Sequence, residues 1–217
     1  KLIFFAPFTK VKIAKYLRNT NKIYSYKIFK NQTNKYLKLS TKQELQREKL
    51  FESVGIKRSD KLVCIANREL GYSIIDDKKF NYRNCSIKNF AKAVKYLNNI
   101  GYYVIRFGNS NNNFDYSHTK YLELNQIDNR LQNAEFYFAS TCEFFLGTTS
   151  GVNCFATIFN KPSLITNNAP IASNHWLPQD LIIFKKYKHQ ETKEVQKFSK
   201  IIELKLENVF DSKIFEN

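Results

Sequence analysis

The sequence predicts an α/β fold in which a parallel sheet carries helices on both faces. Three observations lead there: from Lys61 onward short apolar runs alternate with amphipathic segments, a glycine closes the first helical segment, and the unit then repeats. A strand, a helix and a second strand in that order form the βαβ signature, which implies parallel pairing.

Residues 1–40 hold a short apolar piece and then a stretch rich in Lys, Asn and Tyr with little periodicity. From Thr41 a capping-box pattern, Thr41 with Glu44 three residues on, opens a helix with apolar Leu45, Leu50 and Phe51 that ends near Gly55. Residues 62–66 read as the first strand. Residues 87–99 read as a helix with Phe90, Ala91, Val94 and Leu97 on one face and Lys88, Lys92 and Lys95 outside it; Gly101 closes it, and residues 102–107 form the next strand. The second unit comprises a strand at 121–124, a helix at 129–139, a strand at 144–146, a helix at 150–159 and a strand at 163–166 behind Pro162. Residues 1–58 are expected to be an N-terminal segment, the remnant of or connection to another lobe. Residues 59–217 are expected to form one domain with a helical C-terminal tail. The chain opens at Lys1 directly on Leu2-Ile3-Phe4-Phe5, as the middle of a longer protein would.

The 217 residues, 43% hydrophobic and 15% aromatic, suffice for one good core but not for two full domains. No run approaches the roughly 18 to 20 apolar residues of a membrane span. Cys64, Cys85, Cys142 and Cys154 include no CxxC pair, and His118, His175 and His189 have no zinc spacing with them. Reduced thiols, a cytoplasmic location and no metal or other cofactor are therefore expected. The net charge of +16 points either to an anionic partner or to AT-rich codons, since the excess is lysine spread along the chain beside abundant Asn, Ile, Phe and Tyr. It would suit an enzyme at the inner face of an anionic membrane, where each basic residue near the surface contributes about 1 kcal/mol.

In doubly wound sheets ligands bind outside the carboxyl ends of the strands, so the loops beginning at Asn67, Gly108, Gly147 and Asn167 are where function is sought. Phe144-Phe145-Leu146-Gly147-Thr148-Thr149-Ser150-Gly151-Val152-Asn153 reads as a buried strand, a tight turn and the start of a helix. Glycines allow close approach of a ligand, and first-turn amides and hydroxyls supply donors, so a pyrophosphate fits there; a plain Ser or Thr cap is the alternative. Arg68 follows the first strand and either meets a phosphate bidentately or pairs with Glu69 or an Asp. Arg106, one residue before Phe107-Gly108, either lines the same cleft or pairs with Asp115. Asp76-Asp77 reads as a solvated turn, because adjacent carboxylates diverge and no third ligand is near. Asn167-Asn168-Ala169-Pro170 with His175-Trp176 suits a ligand-lining loop, or else Trp176 plugs the core edge.

The segments 63–72, 83–87, 101–108, 142–151 and 162–168, in that order and at those intervals, resemble a family of bacterial glycosyltransferases associated with surface polysaccharide synthesis. The resemblance covers residues 60–185. It implies a Rossmann-like donor-binding lobe of a GT-B fold and a metal-independent enzyme. The implied reaction transfers a sugar from a nucleotide-diphosphate sugar to a glycan or lipid-linked acceptor. It lends the donor-site reading to Arg68, Arg106 and Ser150; the expected donor contacts are Thr148, Thr149, Ser150, Gly151, Asn153, Arg106 and Gly108, with Arg68 stabilising the leaving group. Tyr72, Asn84, Asn167 and His175 are candidates for sugar or acceptor contacts. The chain departs from the family at Ala66, where a histidine is usual two residues before the arginine; Glu135 matches an acidic residue in the helix before the Phe-Phe strand. No catalytic base can be named, and in two-lobed enzymes of this kind the base commonly comes from the other lobe. A pyruvyl transferase of polysaccharides and a non-catalytic carbohydrate- or nucleic-acid-binding module are the alternatives; in the leading reading no nucleic acid is expected as a partner.

Overall fold

A computed structural model of the chain describes residues 36–70, 80–108, 114–127, 133–171, 177, 179–207, 209 and 214. Its centre is a wholly parallel sheet of β1 (Leu62–Ala66), β2 (Tyr103–Phe107), β3 (Tyr121–Glu123), β4 (Phe144–Thr148), β5 (Ser163–Asn168) and β6 (Leu181–Phe184). The strand order is β3-β2-β1-β4-β5-β6, a Rossmann-like arrangement. Helices cover both faces, which explains why β1 is apolar throughout and buried at all five positions. Leu62, Cys64 and Ala66 join the core beneath α1 (Thr41–Ser53), α3 (Ala134–Thr141) and α4 (Asn153–Ile158). Val63 and Ile65 face the other way, onto Ile87, Phe90 and the Val94 and Leu97 side of α2 (Ala91–Asn99). A short α5 (Phe198–Glu203) lies in the C-terminal tail.

Most predicted elements are present, with informative shifts at their ends. The cap of α1 is Ser40 rather than Thr41: Ser40 Oγ accepts from the Gln43 amide and Gln43 Oε1 accepts from the Ser40 amide, a reciprocal pair one residue earlier. The helix predicted at 87–99 opens as a 3-10 turn, Ile87–Phe90, capped by Ser86 Oγ, before becoming α-helical. The helix predicted from 129 begins at Ala134, behind Asn133 in the left-handed region at φ 70°; residues 128–132 lie outside the described residues.

Two strands run further than their apolar letters suggest. Gly147 and Thr148 belong to β4, paired with Ile165 and Thr166, and Asn167 and Asn168 belong to β5. Gly147 is a strand residue because it lies opposite Ala66 at the β1–β4 junction, where an added Cβ would run into the Ala66 carbonyl oxygen. That neighbour is backbone and cannot rotate away. Gly147→Ala is therefore expected to cost about 1 to 3 kcal/mol by overpacking, read as a lowered urea midpoint at unchanged slope.

Candidate functional site

The connections after β1 and β4 leave toward opposite sides of the sheet, so the strand order reverses between these two neighbours. In an open parallel sheet the crevice outside that reversal is where a ligand fits. Here four segments are laced together across it. The Arg68 amide donates to Thr148 Oγ1 at 2.8 Å, joining the loop after β1 to the end of β4. The Cys85 amide donates to the Arg68 carbonyl at 2.8 Å, and Asn67 Nδ2 to the Cys85 carbonyl at 2.7 Å. Arg83 Nη2 reaches the Thr149 carbonyl at 2.9 Å, and Asn167 Nδ2 reaches Cys85 Sγ at 2.8 Å. Residues 67–69, 83–85, 148–153 and 167–168 thus form one rim.

Several polar atoms on that rim are buried without any hydrogen-bond partner: Nε and Nη2 of Arg68, both amide atoms of Asn84, Oγ of Ser150 and Oδ1 of Asn153. Each such atom costs about 1 to 3 kcal/mol when left without a partner, so several at one sheet edge make this rim the candidate ligand site. The guanidinium of Arg68 sets its character, because a fixed cation with open donors asks for an anion.

The hydroxyl turn divides its labour. Thr148 is wholly buried and its oxygen holds the Arg68 amide, while Thr149 Oγ1 donates to Asn168 Oδ1 at 2.6 Å. These two hydroxyls tie strands together, and Ser150 is the one of the three whose oxygen is left open. The helix predicted to start at Ser150 begins at Asn153 and has six residues. The amides of Asn153, Cys154 and Phe155 turn back onto the carbonyls of Ser150, Gly151 and Val152. The amides at 153–155, where the helix begins, are thereby used within the turn, and the buried side-chain donors open to an anion are those of Arg68.

Arg106 does not meet Asp115. Its Nη1 lies 3.0 Å from Glu123 Oε1 and its Nη2 3.1 Å from Glu69 Oε2, with all three side chains no more than 7% exposed. Glu69 Oε1 also accepts from the Ile87 amide at 2.9 Å. Glu69 therefore pairs with Arg106 rather than with Arg68 and fastens the Arg68 loop to both β2 and the segment before α2. Tyr121 donates to Glu123 Oε1 at 2.9 Å; burial, then the Glu123 charge, raise its phenol well above the usual tyrosine range. On the other side Lys185 Nζ donates to the Tyr82 carbonyl at 2.6 Å, and burial lowers its ammonium below the usual lysine range.

Of the other predicted residues, Asn84 and Asn167 lie on the rim, and exposed Gly151 borders it. Gly108, at the end of β2, is exposed with φ 117°, a backbone need that explains the glycine without a ligand. Tyr72, Asp76, Asp77, His175 and Trp176 fall outside the described residues. Arg83, Glu69 and Lys185 are rim or supporting residues that sequence reasoning did not assign to the site. Arg83 stood beside Asn84 in one of the matched segments, which was the available signal. Cys64, Cys85 and Cys142 are buried and Cys154 exposed, all four as free thiols. Among the described residues no cluster of three or more His, Cys, Asp or Glu could hold a metal ion, and no helix is long and apolar enough to cross a membrane.

No protein-family model and no curated protein matches the sequence. Among solved structures, the chain is similar to the glycosyl transferase family 9 protein from Veillonella parvula DSM 2008. That likeness has a TM-score of 0.52 at 10% identity, covering 84% of this chain and 48% of that one. The E. coli ADP-heptose LPS heptosyltransferase II aligns at a TM-score of 0.48 and 13% identity, over 68% of this chain and 44% of that one. The first likeness is one of fold, and the chain spans about half the length of the solved structures it matches.

Proposed function

We propose that the chain is the donor-binding lobe of a GT-B-type glycosyltransferase of surface polysaccharide synthesis. The reaction would move a sugar from a nucleotide-diphosphate sugar to a glycan or lipid-linked acceptor. The observation that carries the reading is the buried, unpaired guanidinium edge of Arg68 at the strand-order reversal, with Ser150 Oγ open on the same rim. Likeness of fold to a glycosyl transferase family 9 protein supports it. As the bond between the anomeric carbon and the diphosphate oxygen breaks, negative charge grows on the leaving phosphate. Arg68 is a fixed donor that strengthens its bonds as that charge develops, and this lowers the barrier without a divalent cation. Arg106, held between Glu69 and Glu123, serves by positioning the Arg68 loop. The reading assigns no base within this chain to take the acceptor's proton. The surplus of basic residues suits work at the inner, anionic face of a membrane.

A thermal-shift screen of nucleotide sugars on the full chain, with and without EDTA, tests this. One base and sugar combination is expected to stabilise the fold by about 2.7 kcal/mol at 100 times its Kd, unchanged by chelation. Stabilisation by no nucleotide at all would sink the reading. Salt-steep binding of nucleic acid that is indifferent to Ser150→Ala would favour a binding module instead.

A further inference from the structure

Asn84 and Asn153 place a second demand on whatever binds beside Arg68, an argument that rests on reading Arg68 as the anion anchor. Neither Nδ2 nor Oδ1 of Asn84 has a partner; Asn153 Nδ2 donates to the Thr148 carbonyl at 2.9 Å, but its Oδ1 is left open in a residue only 9% exposed. Two other buried amides are satisfied within the fold. Buried Asn98 donates to the carbonyls of Tyr102 at 3.0 Å and Lys120 at 2.8 Å and accepts from the Tyr116 hydroxyl at 2.8 Å. Asn168, also buried, accepts from Thr149 and donates to the Ile171 carbonyl.

The open atoms sort by what they need. Arg68 Nε and Nη2 need acceptors, which a phosphate supplies; Asn84 Nδ2 also needs an acceptor, which a hydroxyl supplies equally well. The oxygens of Asn84 and Asn153 need donors, and an ionised phosphodiester or diphosphate has none to give. A hydroxyl group both gives and accepts. Two neighbouring hydroxyls match a side-chain amide as a pair, one donating to Oδ1 and the other accepting from Nδ2.

We infer that Asn84 and Asn153 are specificity-determining residues that read hydroxyls on the carbon skeleton esterified to the phosphate at Arg68, with Asn84 taking a vicinal diol. The ligand class is then a phosphorylated sugar, and diphosphate alone satisfies only half of the rim. The diol belongs either to a nucleotide's ribose or to the transferred sugar.

Calorimetric titration of the full chain separates these. The probes are pyrophosphate, UDP, ADP and GDP, their 2′-deoxy forms, their hexose esters and hexose 1-phosphates. The best sugar-bearing ester is expected to bind at least about 10-fold more tightly than pyrophosphate, and Asn84→Leu to bring that ratio down to within roughly 2-fold. A gain lost on 2′-deoxygenation assigns the diol to ribose; a gain that appears only with the hexose assigns it to the transferred sugar. A second readout guards against a merely structural role. Without ligand, Asn84→Leu is expected to melt at or above the wild-type temperature, because it removes an unsatisfied buried amide, whereas Asn98→Leu melts below it. Pyrophosphate binding as tightly as every ester, or Asn84→Leu melting as low as Asn98→Leu, overturns the inference. Nucleotides, their hexose esters and hexose 1-phosphates all binding, but none better than pyrophosphate, overturns it while leaving the anion reading standing. Hexose 1-phosphates binding where nucleotides do not supports it and overturns the nucleotide part of the proposed function, and no binding by any probe overturns both.

Discussion

Replacing Arg106 by leucine is expected to remove about 3 to 5 kcal/mol of folding stability, the largest single effect predicted for the fold. The reason is the company the guanidinium keeps. Glu69 and Glu123 approach it at 3.1 and 3.0 Å with side chains 5% and 7% exposed, so its loss takes the shared cation away from two buried carboxylates. Against a typical total of about 5 to 15 kcal/mol, that would leave much of the protein unfolded at 37 °C. Urea denaturation measures it, and the double variant Arg106→Leu with Glu123→Leu should lose less than the single, because one uncompensated charge has gone. A loss in the double variant equal to the sum of the losses in Arg106→Leu and Glu123→Leu alone would show that the two groups are not coupled.

For ligand binding the largest effect is expected at Arg68. Truncation to alanine removes two buried donors that pair with no protein group, and two charge-assisted bonds to a phosphate are together worth about 100-fold or more in affinity. Arg68→Lys keeps the charge but not the planar fork, and should fall between, about 10-fold weaker than wild type. Stability should move the other way. In the absence of ligand Arg68→Ala is expected to melt no lower than the wild type, since it deletes unsatisfied atoms rather than contacts. A clear drop in melting temperature with unchanged donor affinity would return Arg68 to a structural role.

What the sequence discloses about this protein follows the range of the interactions involved. β1 is legible because five consecutive apolar letters need both faces covered, and the helix after it is legible because Val94 and Leu97 alternate with Lys92 and Lys95 at helical spacing. Gly147 is misread as a turn residue, since the reason for it is the Ala66 carbonyl on a strand some 80 residues away in sequence. The hydroxyl cluster at 148–150 is visible as a cluster, but its division of labour is not: Thr148 is claimed by Arg68 and Thr149 by Asn168, partners 80 and 19 positions distant. Arg106 reads like a second cation for the cleft because its partners, 37 and 17 positions away, leave no local trace. Arg68 and Ser150 remain visible because what distinguishes them is that no local feature uses them.

The pairing of β1 with β4 also bears on how the molecule comes into being. As the chain is synthesised, β1, β2 and β3 can assemble first, since β1 pairs with β2 and β2 with β3. The inner edge of β1 must then wait for β4, and closing so long a loop delays the event beyond the local steps of folding. For that interval a strand with no charged residue presents an open row of backbone donors and acceptors, the condition under which partly made chains aggregate. The crevice comes into existence only with that closure, so a nascent or truncated chain ending before Phe144 would have neither a sealed sheet nor a binding rim.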